Sequence, residues 1–237
     1  MAKARQMALT PDLVARVHRA LDDPGPDLSW SYHADEDYDA VVQSLLASHP
    51  GGPDTWLFAY GSLIWRPELE HVEAQRGTAR GWHRSFCFRL MRFRGTKEQP
   101  GLMMSLDRGG QCQGVLFKLP PHDLEAQLGK LVRREMTVKP PNNIPRWIAV
   151  ETDQGPLRAI AFVMNRQSRF YTGKLSPEEV ADVLARACGH WGSGAEYLCN
   201  TVQHLEEHGI HDQGLWTLQE LVAERINAGC NPTLSRG

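Results

Sequence analysis

The chain has 237 residues, 26 Lys+Arg against 28 Asp+Glu, and a formal net charge of -2 with both signs spread along it. That length builds a sizeable core in one large domain or two small ones, and no basic arm or acidic tail marks nucleic acid or an anionic membrane as a partner. Five scattered cysteines (Cys87, Cys112, Cys188, Cys199, Cys230) without a Cys-x-x-Cys pair predict free thiols in a reducing, cytoplasmic compartment; no apolar run approaches a membrane span, and Met1 to Pro11 lacks the apolar stretch of a secretory signal.

Residues 1–53 read as a helical extension. Thr10-Pro11-Asp12 starts a first helix, with Leu13, Val14, Val17 and Leu21 at helical spacing. Asp22-Asp23-Pro24-Gly25-Pro26 ends it. A second helix is predicted from Asp35 to about Ser48, with Tyr38, Val41, Val42, Leu45 and Leu46 on one face, before the breaker His49-Pro50-Gly51-Gly52-Pro53.

A main domain is predicted over 54–228, followed by a tail at 229–237. Its first element is the apolar run Trp56, Leu57, Phe58, Ala59, a buried strand by its length and β-forming residues. The run breaks at Gly61-Ser62 and resumes at Leu63, Ile64 and Trp65. Glycine here permits a turn with positive φ and a close ligand approach, and successive N–H groups in such a turn can hold an anion. An ordinary tight turn is the competing reading. Further strands are predicted at 72–79, 82–93, 101–107 and 112–119, with turn signals at Arg94-Gly95-Thr96, Gln99-Pro100-Gly101 and Arg108-Gly109-Gly110. A helix follows over about His122 to Met136. Two strands, 146–152 and 157–164, are joined by a Gly155-Pro156 turn. Helices at about 176–188, 193–208 and 214–226 complete the chain, the first behind the capping run Ser176-Pro177-Glu178-Glu179. Strands with one inserted helix, then a helical cluster, give an α+β fold with a mainly antiparallel sheet or small barrel.

Glu135 is the most informative single residue. Leu124, Leu128, Leu131 and Val132 form one helical stripe, and Glu135 falls within it, while Lys130, Arg133 and Arg134 lie elsewhere. A carboxylate on an apolar face is costly to bury charged, and desolvation raises its pKa toward what a general base near neutrality needs. The alternative is that the helix stops before Glu135, or that Arg134 or Arg146 simply pairs with it. Other patterns point less far. His204, His208 and His211 do not form a His-Glu-x-x-His site, and no ligand set completes them, so an exposed helix end is expected. Arg89, Arg92 and Arg94 alternate on a predicted strand and share a face, solvated or anion-facing. Ser62 lies outside Gly-x-Ser-x-Gly, and neither a Walker loop nor Gly-x-Gly-x-x-Gly follows a strand, so serine hydrolysis and nucleotide binding lack support. Tyr197, near a helix start, reads as a packing tyrosine.

From Trp56 to Ile226 the chain resembles the ChaC-like branch of the γ-glutamylcyclotransferases. The resemblance is carried by Phe-Ala-Tyr-Gly-Ser-Leu-Ile-Trp at 58–65, Gly-Trp-His-Arg at 81–84, Gln-Pro-Gly at 99–101, Gly-Val-Leu-Phe-Lys-Leu-Pro at 114–120, Arg-Arg-Glu-Met at 133–136 and Glu-Tyr-Leu at 196–198. Arg-Arg-Glu-Met is the form of the bacterial branch. Two stretches depart from it: 139–145, Lys-Pro-Pro-Asn-Asn-Ile-Pro, where relatives carry a shorter loop, and Gly194, where relatives often carry Asn.

The resemblance implies a small β-barrel with flanking helices and a glutathione-specific cyclotransferase. In that activity the γ-glutamyl amine attacks its own γ-carbonyl and releases 5-oxoproline and Cys-Gly. It implies Glu135 as general acid/base and Ala59, Tyr60, Gly61, Ser62, Leu63, Ile64 and Tyr197 around the substrate. It needs neither metal nor organic cofactor. A cyclotransferase for other γ-glutamyl compounds and a non-catalytic binding or regulatory protein are the competing readings.

Overall fold

The computed structural model describes residues 6–229. Cys230 and the rest of the predicted tail lie outside the described residues. In chain order the elements are α1 (Pro11–Val17), α2 (Asp35–Ala47), β1 (Thr55–Ala59), α3 (Ser62–Trp65), β2 (Glu73–Leu90), β3 (Gly101–Leu119), a 3-10 turn (Pro121–Asp123), α4 (Leu124–Glu135), β4 (Asn143–Thr152), β5 (Gly155–Met164), α5 (Pro177–Leu184), β6 (Cys188–Gly189), β7 (Gly192–Ser193), α6 (Gly194–Glu207) and α7 (Gln213–Gly229). None of these helices is long and apolar enough to cross a membrane.

The chain forms two compact units. One comprises Pro26–Phe88 and Met104–Gly173. Its strands close a barrel in the order β1-β3-β2-β4-β5. Strand β1 is buried along its whole length, which its unbroken apolar run requires. It runs antiparallel to β3, with Thr55 opposite Leu119 and Ala59 opposite Val115, and meets β5 in parallel at Leu57 and Ile160. β4 and β5 form a hairpin from Asn143↔Met164 to Thr152↔Gly155. The fully buried Leu57, Phe58, Leu106, Leu116, Ile160 and Phe162 fill this unit. At Gly114 strand β3 packs too closely on β1 for a side chain: a Cβ there would lie 2.5 Å from the Ala59 carbonyl and 2.6 Å from the Phe58 ring.

Four predicted strands are in fact two. β2 and β3 run for 18 and 19 residues, through the positions read as breaks. Gly81, Gly109 and Gly110 have φ of 79°, 108° and 68°. Glycines in this region let a strand bend without ending, as a closing barrel demands. The helix predicted over 122–136 begins with a 3-10 turn and ends at Glu135. The β4–β5 turn falls two residues earlier than expected, at 153–154, with Gly155 already paired to Thr152 at φ 113°.

The other unit comprises residues up to Gly25, Arg89–Met103 and those from Lys174 on. α1 begins where predicted, with Thr10 accepting from the Leu13 N–H, but stops at Val17, before Leu21. Ser176 caps α5 as expected, and Glu179 answers it to complete a reciprocal capping box. Gly194 opens α6 against α5; a Cβ there would come within 2.8 Å of the Leu184 side chain. A side chain at that position would require the Leu184 side chain to shift. The two-residue pair β6–β7 was not predicted, being too short to show any alternation.

Candidate active site

The site is built at the end of β1. Ala59 and Tyr60 are buried, and Tyr60 is fixed at both ends. Its hydroxyl donates to the Phe162 carbonyl at 2.7 Å, and its own carbonyl accepts from Arg84 Nε at 2.7 Å. Arg84 also donates to the Gln113 carbonyl. The chain then turns at Gly61, whose φ of -144° and ψ of -129° differ from the positive-φ turn expected. Leu63, Ile64 and Trp65 do not resume a strand. They form the single helical turn α3, with Ile64 N–H donating to the Gly61 carbonyl and Arg66 N–H to that of Ser62. The first N–H groups of a helix have no acceptor within it, so this turn supplies donors at the strand end. Leu63 and Ile64 are buried, and Ser62 is half-buried.

Glu135 is the last residue of α4 and lies on the apolar side of it, as the spacing predicts. Leu128, Leu131 and Val132 are buried with it, joined by Gln127; Leu124, at the helix start, is only half-buried. The Glu135 side chain is 15 % exposed. Burial pushes its carboxyl above the usual carboxylate range, and Arg134 pulls back only in part. Arg134 Nε lies 3.2 Å from Glu135 Oε1. Arg146, the other partner considered, is exposed on β4.

Arg134 ties Glu135 to the turn. Its Nη2 donates to Ser62 Oγ at 3.3 Å, its Nη1 donates to the Arg66 carbonyl, and Glu68 stands 3.4 Å away. One guanidinium therefore spans the start of α3, its end and the carboxylate. The structure thus brings together Ala59, Tyr60, Gly61, Ser62, Leu63, Ile64 and Glu135 in the barrel unit. Sequence reasoning passed over two residues of this arrangement. Arg84 sits in the Gly-Trp-His-Arg run, whose pattern by itself carries no sign of a role. Arg134 was noted only as part of the polar face or as a simple ion-pair partner.

Tyr197 belongs to the other unit. It is buried on α6, its carbonyl accepts from Thr201 Oγ1 at 2.8 Å, and Arg94 lies 5.6 Å from its ring centroid. Arg94 is itself buried, donating to Glu196 Oε2 at 2.7 Å and to the Ser193 carbonyl at 2.9 Å. β2 stops at Leu90, so Arg89, Arg92 and Arg94 do not share a strand face as expected. Arg89 is exposed, and Arg92 pairs with Asp23 at 2.6 Å. In the same unit His204 Nδ1 lies 2.7 Å from the Asn200 carbonyl, and His211 Nδ1 lies 2.6 Å from Glu206 Oε1.

The departing stretch 139–145 is knitted into the barrel unit. Asn142 and Asn143 are buried, accepting from Ser168 and from Ser105 respectively.

A family model described as ChaC-like protein matches residues 55–225. A relative from Escherichia coli, named glutathione-specific gamma-glutamylcyclotransferase, is 38% identical over 207 residues, covering 85% of this chain and 87% of its own length. A Homo sapiens relative, glutathione-specific gamma-glutamylcyclotransferase 1, is 28% identical and covers 74% of this chain and 81% of its own. The crystal structure of a yeast gamma glutamyl cyclotransferase specific to glutathione superposes with a TM-score of 0.65 at 20% identity, over 73% of this chain and 97% of that one. At that identity the likeness speaks for the fold.

Proposed function

The chain belongs to the ChaC-like protein family, and we propose that it carries out the family's reaction with Glu135 as general acid/base. The activity is that of a glutathione-specific γ-glutamylcyclotransferase, a lyase that converts glutathione to 5-oxoproline and Cys-Gly. The observation that carries the role of Glu135 is its placement. It is a carboxylate largely withdrawn from water at the end of an apolar stripe, held above its ordinary pKa, and joined through Arg134 to the Ser62 turn.

The chemistry needs no nucleophile from the protein. The α-amine of the γ-glutamyl group arrives mostly as ammonium, and Glu135 takes one of its protons. The freed nitrogen pair attacks the γ-carbonyl carbon, forming the ring C–N bond. The amide C–N bond to the cysteine then breaks, its electron pair going to the departing nitrogen. The ring nitrogen, left with a surplus proton by the attack, gives it up, and the departing nitrogen takes on two protons in all, one from the Glu135 carboxyl and one matching the ring nitrogen's loss, so Cys-Gly leaves as an ammonium and Glu135 returns to its starting state. Backbone N–H groups at the start of α3 hold the γ-glutamyl group in the folded-back conformation. Orienting an intramolecular attack of this kind is worth about 7–11 kcal/mol. Arg84 and the Tyr60 hydroxyl keep that turn rigid. For Tyr197 the proposal rests on the family resemblance: its hydroxyl hydrogen-bonds the γ-glutamyl group.

The test is to incubate the purified protein with glutathione and measure 5-oxoproline and Cys-Gly, with γ-glutamyl-alanine as the comparison substrate. Preferred turnover of glutathione by wild type, and its loss in Glu135→Gln, is the expected result. Substantial 5-oxoproline formation by well-folded Glu135→Gln overturns the role of Glu135. Tyr197→Phe should lose catalytic efficiency while keeping its fold, and wild-type kinetics in that variant would return Tyr197 to a packing role.

A further inference from the structure

Glu135 is the last residue of a helix, and helix ends fray. A base placed there needs something outside the helix to hold it. In the barrel unit one short segment does so from both sides, and it lies before residue 55, where the family match begins. On the C-terminal side, Tyr38 Oη donates to the Met136 carbonyl at 3.0 Å. The Lys139 N–H donates to the Ser31 carbonyl at 2.9 Å, and Lys139 Nζ donates to Asp37 Oδ1 at 2.7 Å. On the N-terminal side, the Arg133 guanidinium lies 4.9 Å from the centroid of the Tyr38 ring and donates to Asp35 Oδ1 at 2.9 Å.

Tyr38 therefore touches the residue just after Glu135 and the residue two before it. The carbonyls of a last helical turn lack partners within the helix, and Tyr38 supplies one to the residue that caps it. Behind the tyrosine, His33 packs its ring 5.3 Å away with a side chain only 6 % exposed. Burial pushes its imidazole below the ordinary pKa, against the pull of Asp37 at 3.9 Å.

We infer that Tyr38 is a positioning residue for the cyclotransferase reaction: its hydroxyl and ring fix the end of α4, so that the Glu135 carboxylate is presented in one orientation. The inference rests on Glu135 being the base. It makes the segment 31–38 part of the catalytic apparatus, though no atom of it is assigned to the substrate. The groups that set the charge state of Glu135 directly are Arg134 and Glu68; Asp35, Asp37, Arg133 and Lys139 belong to the brace itself.

The experiment is Tyr38→Phe, which removes one oxygen and keeps the ring under Arg133. Losing one hydrogen bond, with the small displacement it permits, should lower kcat about tenfold and leave KM within about twofold. A loosened helix end admits water to Glu135, which favours its charged form, so the acid limb of the kcat–pH profile should move to lower pH. A purely structural tyrosine would lower thermal stability and leave the limb where it is. Arg133→Gln is the second variant, since it alters a half-exposed side chain and breaks the contact from the other side. It should lower kcat about threefold, again with KM retained. Wild-type kcat and an unmoved acid limb in both variants, alongside an inactive Glu135→Gln, overturn the brace and leave the base standing. Activity persisting in Glu135→Gln instead overturns the reading on which the brace rests.

Discussion

The barrel unit holds two withdrawn carboxylates whose surroundings differ in one respect. Glu135 is 15 % exposed and Asp107 is 6 % exposed, so burial raises the pKa of both. Around Asp107 that rise is overcome. Arg166 Nε donates to it at 2.6 Å, the Arg108 N–H at 2.8 Å and the Tyr171 hydroxyl at 2.9 Å, and its carboxyl is held below the usual range. Around Glu135 it is not overcome. The cation beside it, Arg134, is shared with Ser62, Arg66 and Glu68, and the carboxyl stays above the usual range. The lesson is that burial does not decide what a carboxylate does; the number of donors committed to its charged form does. A fully satisfied carboxylate ties strands together. A partly satisfied one is available for proton transfer.

The sharpest way to break this comparison is to neutralise each carboxylate by amide. Glu135→Gln should cost about 10²–10⁴-fold in turnover, measured as 5-oxoproline release, with stability held or raised. Asp107→Asn should leave turnover close to wild type. Equal losses in the two variants would erase the distinction.

Arg134→Met removes the cation paired with Glu135 and the link to the Ser62 turn. We expect kcat/KM to fall roughly tenfold to a hundredfold, the range of one lost charged hydrogen bond. Since Arg134 favours the ionised carboxylate, the acid limb of activity should also move to higher pH. A limb moving the other way would mean that a different group titrates there.

Stability against pH should separate the two residues by sign. Asp107 has a lowered pKa in the folded state, so its contribution is present above the ordinary carboxylate pKa and is lost as pH falls through the lowered value. Glu135 has a raised one, so its contribution is present below the ordinary pKa and is lost as pH rises through the raised value. Denaturant unfolding across this range should therefore show Asp107→Asn losing about 1–3 kcal/mol near neutrality and little in acid. The lower part of that range is the better guide, because Arg166 is half-exposed and its charge is screened. Glu135→Gln should gain relative to wild type as pH rises.

The smallest effect sharpens the account of Asp107. Tyr171→Phe removes one of its donors and should cost about 1 kcal/mol in unfolding, with no change in turnover. A loss of turnover there would place Asp107 in the catalytic machinery after all.

Much of the site was legible in the linear chain because its signals are local. A period of 3.6 put Glu135 with Leu128, Leu131 and Val132, and the apolar run 56–59 required a buried strand ending at Gly61. The strand breaks at Arg108-Gly109-Gly110 were misread for an equally local reason. Glycines at positive φ serve a hairpin turn and a bend within a strand alike, and only the neighbouring strand decides between them. The same limit explains Gly61, whose freedom was visible in the sequence while its φ was not.

What the sequence determined by itself, then, was the set of segments with one apolar face and the placement of Glu135 on such a face, because the spacing of side chains along a helix or strand is set by its own geometry. The tertiary structure alone decided which charges meet. Arg84 reaches Tyr60 across 24 positions, Arg134 reaches Ser62 across 72, and Tyr38 reaches Met136 across 98. No periodicity records such distances. They arise when the barrel closes, and that closure separates the carboxylate that holds the strands from the one we propose as the base.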